Sequence, residues 1–92
     1  MAQMIVHHEV RDFAKWKSVF DLSSPIRKVF GESSYRVFHS TDNYNDITIL
    51  FDWKDPTKAV EYAESEDLRA SLEQAGVIGT PQIYLLDENL KS

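Results

Sequence analysis

The segment Asp46–Trp53, with the sequence DITILFDW, limits the possible folds more than any other part of the chain. Every second position in it is apolar, namely Ile47, Ile49, Phe51 and Trp53. Since successive side chains of a strand point to opposite faces, this period of two predicts a β-strand with one buried face. The alternate positions include Leu50, which lies between Thr48 and Asp52. The second face of the predicted sheet is therefore partly apolar as well.

The same alternation predicts strands in three other segments, Met4–Val10, Ser34–Thr41 and Gln82–Leu86. Two helical regions lie between the strands, one from Asp12 to Gly31 and one from Asp55 to Gly76. Their predicted N-caps are Asp12, Ser24, Asp55 and Ser65. Pro25 either divides the first region into two short helices or kinks a single helix. We expect Gly79–Pro81 to form a stiff turn before the last strand.

The resulting order is β-α-β-β-α-β, which predicts a ferredoxin-like α+β fold. In that fold a four-stranded antiparallel sheet carries its helices on one face. With 92 residues the chain has room for one hydrophobic core. We therefore expect a single domain over residues 1–92.

Helices on one side leave the other side of the sheet bare, and we call this side the outer face. Its predicted members are Ile5, His7, Arg36, Phe38, Thr48, Leu50, Asp52, Gln82, Tyr84 and Leu86. Each large apolar side chain among them would lose roughly 1.5–3 kcal/mol if it stayed in water rather than being buried. Exposed apolar patches of this kind mark interfaces. We expect a second copy of the sheet to cover the outer face in a symmetric homodimer, with a lumen between the sheets.

Charge and composition exclude several classes of function. The formal net charge is −5 and the chain contains no basic run, which argues against nucleic acid and anionic membranes as partners. Because there is no cysteine, thiolate chemistry and disulfides are excluded. No apolar run approaches the roughly 20 residues of a membrane span, and the first residues lack a signal pattern. The sequence predicts a cytoplasmic protein.

Four stretches carry a resemblance that covers nearly the whole chain: HHEVRDFAKWKSVFD, PIRKVFG, ILFDWKDPTKAVEYAES and DLRASLEQAGVIGTPQIYLL. They resemble the dimeric α/β-barrel superfamily, and most closely its small single-domain members grouped with antibiotic-biosynthesis monooxygenases. The resemblance implies a homodimeric α/β barrel and an oxidoreductase that needs no cofactor. It further implies a small aromatic or polyketide-like substrate. The superfamily also contains haem-degrading enzymes, isomerases and stress proteins.

Three polar residues of the outer face are the candidates for catalysis. His7 is the predicted general base or substrate-orienting donor, Arg36 could bind a carboxylate or enolate oxygen, and Tyr84 could donate a hydrogen bond. The predicted pocket lining is Ile5, Phe38, Leu50 and Leu86. The neighbouring His8 is expected on the other face, packed near Trp16. A shift of the strand phase by one residue would exchange the roles of the two histidines.

The sequence leaves other interpretations open. Arg36 could instead pair with Glu9 or Asp52 at the dimer interface. A metal site is not expected, because adjacent histidines on a strand diverge. The whole chain could be a non-catalytic module that binds a ligand or only dimerises. A sizeable pocket with an unpaired His7 would favour the enzyme, whereas a filled space with a fully paired His7 would favour the module.

Overall fold

A computed structural model gives the fold, and it describes residues 2–92. The elements are β1 (Ala2–Val10), α1 (Phe13–Leu22), α2 (Ser24–Val29), β2 (Glu32–His39), β3 (Asp46–Trp53), α3 (Pro56–Ala63), α4 (Glu66–Gln74) and β4 (Val77–Asp87). The strands form one sheet in the order β2-β3-β1-β4, with every neighbouring pair antiparallel. The predicted ferredoxin-like α+β fold is confirmed.

The core lies between the sheet and the helices, on the side that the alternation in β3 predicts. The four alternating apolar residues of β3 are all buried, namely Ile47, Ile49, Phe51 and Trp53. Met4, Val6 and Val10 of β1 join them from the neighbouring strand. Trp16 and Phe20 of α1 stack over this layer with their ring centroids 4.9 Å apart. Burial of this aromatic and aliphatic layer fixes which face of the sheet the helices cover.

Side-chain caps begin three of the four helices where the sequence predicts them. Asp12 accepts a hydrogen bond from the backbone N–H of Ala14, and Asp55 accepts one from Thr57. Ser65 accepts from the N–H of Leu68. The predicted Ser24 cap is wrong, because α2 begins at Ser24 itself and Ser23 precedes it.

Several strand bounds differ from the prediction: β1 begins at Ala2 rather than Met4, β2 ends at His39 rather than Thr41, and β4 ends at Asp87 rather than Leu86. Two further differences are strand starts that involve a register shift. β2 begins at Glu32 rather than Ser34, and β4 begins at Val77 rather than Gln82. In each case the pairing continues through a register shift that interrupts the alternation. Gly79 adopts a positive φ of 72° inside β4, and Pro81 is tolerated there because β4 is an edge strand. The segment Gly79–Pro81 is thus an irregular part of the strand rather than a turn before it.

Within residues 2–92, no helix has the length and apolar character needed to cross a membrane.

Candidate functional site

The strand register places the predicted site residues on the outer face in two rows. One row crosses the sheet from β2 through β3 and β1 to β4, and it contains Arg36, Leu50, Ile5 and Tyr84 in that order. The next row contains, in the same strand order, Phe38, Thr48, His7 and Gln82. Leu86 lies one further row along β4, opposite Gln3. All seven candidates therefore share one face, as the phase of β3 requires.

The three catalytic candidates do not converge on one point within a single chain. Arg36 and Tyr84 lie on the two edge strands of the sheet. Three strand spacings separate their backbones by about 14 Å. His7 lies on β1, next to the strand of Tyr84 and one row away. A ligand that contacts all three must extend across the sheet.

His7 is held between two oxygen atoms from the strands on either side. Its Nε2 lies 2.6 Å from Oδ1 of Asp46 on β3, and its Nδ1 lies 3.2 Å from Oε1 of Gln82 on β4. These hydrogen bonds, first that with Gln82 and then that with Asp46, raise the pKa of His7 above 6.5. The arrangement favours an imidazolium that donates from both nitrogens. Both nitrogens are therefore occupied within one chain.

Arg36 does not form either of the ion pairs considered for it. The two oxygens of Asp52 accept hydrogen bonds from Gln3 and Ser34, and Glu9 accepts one from Asn43. The guanidinium of Arg36 instead lies 5.1 Å from the ring centroid of Phe38. Across the described part of the chain, neither Arg36 nor the Tyr84 hydroxyl has a side-chain hydrogen bond. Both groups are free to meet a ligand or a second copy.

A second candidate site lies on the other side of the sheet, around His8. This residue is 5% exposed, and its ring meets Trp16 edge-on with centroids 6.0 Å apart. Neither ring nitrogen of His8 has a hydrogen-bond partner, although buried polar atoms normally have one. Burial, together with the charge of His7, lowers the pKa of His8 to about 4. His8 is therefore a neutral imidazole with two unused nitrogens.

His8 borders a pocket of about 40 Å³ between the helices and the sheet. The other residues in its wall include Trp16, Phe20, Arg27, Ser71 and Leu72. The volume is close to that of one water molecule. Apolar atoms make up most of the wall, so the few polar groups are the ones that could orient an occupant.

Arg27 is the charged residue at this pocket, and it is not among the three residues that the sequence predicts for catalysis. It is 2% exposed and forms a buried ion pair through Nε with Glu32, while Nη1 donates to the carbonyl of Phe20 over 2.8 Å. Its guanidinium lies 3.8 Å from the ring centroid of Phe20, and Nη2 has no partner. Regular alternation back from Tyr35 would place Glu32 on the outer face. The register shift at the start of β2 places it opposite Trp53 in the core instead.

No group of three histidine, aspartate or glutamate side chains within residues 2–92 could hold a metal ion. The polar groups of both candidate sites are instead suited to hydrogen bonding and to stabilising charge on an organic molecule.

Together these elements define a ferredoxin-like α+β fold of the kind found in antibiotic biosynthesis monooxygenases. SnoaB, a cofactor-independent oxygenase from Streptomyces nogalater, is 14% identical with a TM-score of 0.78, over 98% of this chain and 94% of that chain. A protein described as an antibiotic biosynthesis monooxygenase is 14% identical with a TM-score of 0.72, over 98% of this chain and 100% of that one. Rv0793 from Mycobacterium tuberculosis is 14% identical with a TM-score of 0.72, over 99% of this chain and 97% of that chain.

These similarities confirm the fold that the sequence resemblance implies. No protein-family model matches the sequence, and no curated protein matches it significantly.

Proposed function

We propose that the chain is a cofactor-independent oxygenase-like enzyme for a small aromatic or polyketide-like molecule. The observation that carries this proposal is the composition of the outer face. That face combines exposed apolar side chains with His7, Arg36 and Tyr84 on a single surface. The fold shared with SnoaB supports the same class of activity.

In this proposal a second copy covers the outer face and encloses the substrate. Phe38, Tyr84 and Leu86 remain 44%, 51% and 41% exposed in one chain. A homodimer that pairs the two outer faces would bury these side chains on both copies at once. The substrate would lie in the space between the two sheets, against Ile5, Phe38, Leu50 and Leu86.

The proposed chemistry begins with proton transfer. At a pH above its raised pKa, His7 is neutral and takes a proton from an acidic hydroxyl or C–H of the substrate, and the electron pair stays on the substrate as an enolate or phenolate. The guanidinium of Arg36 stabilises the negative oxygen, and the hydroxyl of Tyr84 positions the molecule by a hydrogen bond. The electron-rich anion is the species that reacts with dioxygen.

Two observations favour alternatives. Both nitrogens of His7 have partners within one chain, which favours a non-catalytic module whose polar groups pair among themselves. In contrast, the unpaired nitrogens of His8 favour the pocket under the helices as a place where a molecule as small as dioxygen binds.

One set of variants separates these possibilities. Oxygen consumption with hydroxylated polycyclic aromatic compounds is measured for the wild type, His7→Gln, His8→Leu and the exposed control His39→Gln. We expect His7→Gln to lower turnover by about 10²- to 10⁴-fold, the usual contribution of a general base, while His39→Gln retains it. Sedimentation velocity checks that each variant keeps the same oligomeric state.

The other outcomes are equally specific. Loss of turnover in His8→Leu alone would indicate that dioxygen binds in the pocket under the helices. No turnover by the wild type with any compound of this class would refute the oxygenase and favour the binding module.

A further inference from the structure

The two hydrogen bonds of His7 are unequal, and the difference indicates which one a substrate can replace. The contact with Asp46 is 2.6 Å long, carries charge and is partly buried. The contact with Gln82 is 3.2 Å long, involves a neutral amide and is exposed. A charge-assisted hydrogen bond is stronger than a neutral one. A substrate would therefore replace the hydrogen bond with Gln82 rather than the one with Asp46.

The backbone around each partner supports the same division. Asp46 begins β3 at the hairpin, where its carbonyl accepts from the N–H of Ser40 over 2.9 Å and its own N–H donates to Asn43 over 3.1 Å. Gln82 follows Pro81 on edge strand β4, directly opposite His7. Asp46 is thus fixed on both sides of its Cα, whereas the Gln82 side chain faces solvent.

Asp46 is also the only charged group that contacts His7 within the described residues. On β1, Glu9 shares the face with His7 but is bonded to Asn43. Arg36 lies two strands away on β2, and Tyr84 on β4 lies one row away. The orientation of the imidazole ring therefore depends on Asp46.

Building on the proposed function, we infer that Gln82 occupies the place of a substrate oxygen at Nδ1 of His7, and that Asp46 is the positioning residue that holds Nε2. The substrate class is then an enol or a phenol. The step starts from neutral His7 with its proton on Nε2, directed at Asp46, so that Nδ1 carries the free lone pair. The substrate O–H bond breaks as the N–H bond forms at Nδ1, and the electron pair stays on the oxygen. The resulting oxyanion accepts a hydrogen bond from Nδ1, as Oε1 of Gln82 does in the free protein when His7 is protonated.

The positioning role of Asp46 is tested by NMR titration of the His7 ring in the full-length protein. Asp46→Asn should lower the pKa of His7, because it removes the charged acceptor at Nε2. Asp52→Asn is the matched control, since Asp52 lies on the same face but bonds Gln3 and Ser34. Equal His7 titration curves in Asp46→Asn and the wild type would overturn the assignment, whatever the turnover of either protein.

The role of Gln82 is tested with 2-naphthol, using 2-methoxynaphthalene as the analogue without a hydroxyl. Removing the competing amide in Gln82→Ala should tighten 2-naphthol binding by about two- to tenfold, the usual effect of one neutral hydrogen bond. Binding of 2-methoxynaphthalene should not change. His7 ring resonances should shift on addition of 2-naphthol.

Three results would overturn the placeholder role of Gln82: unchanged 2-naphthol affinity in Gln82→Ala, an equal gain for both compounds, or no shift of the His7 ring. None of these measurements depends on turnover. An inactive protein that passes both tests would refute the proposed oxygenase and leave this inference standing.

Discussion

Acidification from pH 7 to pH 5 should destabilise the fold through His8, and His8→Leu should remove that part of the loss. Burial and the charge of His7 lower the pKa of His8 from 6.5 to about 4. The contribution of neutral His8 is fully present above pH 6.5 and is lost as the pH falls towards 4, since only the unfolded chain binds the proton readily. The linkage relation with these two pKa values gives a loss of about 2 kcal/mol between pH 7 and pH 5.

The titration of His7 changes the free energy of unfolding with pH in the opposite direction, so its contribution must be separated from that of His8. Its pKa is raised in the folded chain, so its contribution is present below pH 6.5 and is lost as the pH rises through the folded value. The pH dependence of the wild-type unfolding free energy is therefore the sum of two contributions of opposite sign. The difference between the wild type and His8→Leu isolates the contribution of His8.

The assay is urea unfolding followed by circular dichroism at pH 7 and pH 5, at one fixed protein concentration. The exposed His39→Gln variant is the control and should lose as much stability as the wild type. We expect His8→Leu to lose about 2 kcal/mol less than either of them. An equal loss in all three proteins would refute the argument that His8 is buried in its neutral form.

Other predictions concern the buried ion pair and the outer face. Arg27→Leu leaves Glu32 charged and unpaired in the core, so it should cost about 3–5 kcal/mol of unfolding free energy. Lys17→Leu, which breaks an exposed pair with Asp21, should change the unfolding midpoint little; equal effects of the two substitutions would contradict the burial argument. Leu50→Glu should prevent self-association in sedimentation velocity, whereas Leu22→Glu on the helix layer should not. A wild-type monomer at every concentration would refute the homodimer.

The fold could be predicted because the strands keep a regular period. The alternation in Asp46–Trp53 identifies the buried face of β3, and pairing carries this phase to β1 without interruption. His7 and His8 are therefore assigned to opposite faces from the sequence alone. The helix starts at Asp12, Asp55 and Ser65 could also be predicted from the sequence. Each cap side chain accepts a hydrogen bond from a backbone N–H only two or three residues further along the chain.

The polar contacts could not be predicted in the same way. The Arg27–Glu32 pair depends on a register shift at the start of β2, which regular alternation does not contain. The partners of His7 come from residues 39 and 75 positions away in the sequence. Which oxygen a side chain reaches depends on the stagger of three strands, and hydrophobic patterning does not determine that detail.

The two adjacent histidines have opposite electrostatic states because β1 presents them to different surroundings. His7 meets two oxygen acceptors, whereas His8 meets the ring of Trp16 and no acceptor. A slip of β1 by one residue would place the charged ring in the core and remove both of its partners, so the pair opposes such a slip. At about pH 6 the NMR signals assigned to His7 should therefore report a charged ring, and those assigned to His8 a neutral ring. The same protonation state for His7 and His8 at that pH would contradict this assignment of the two faces.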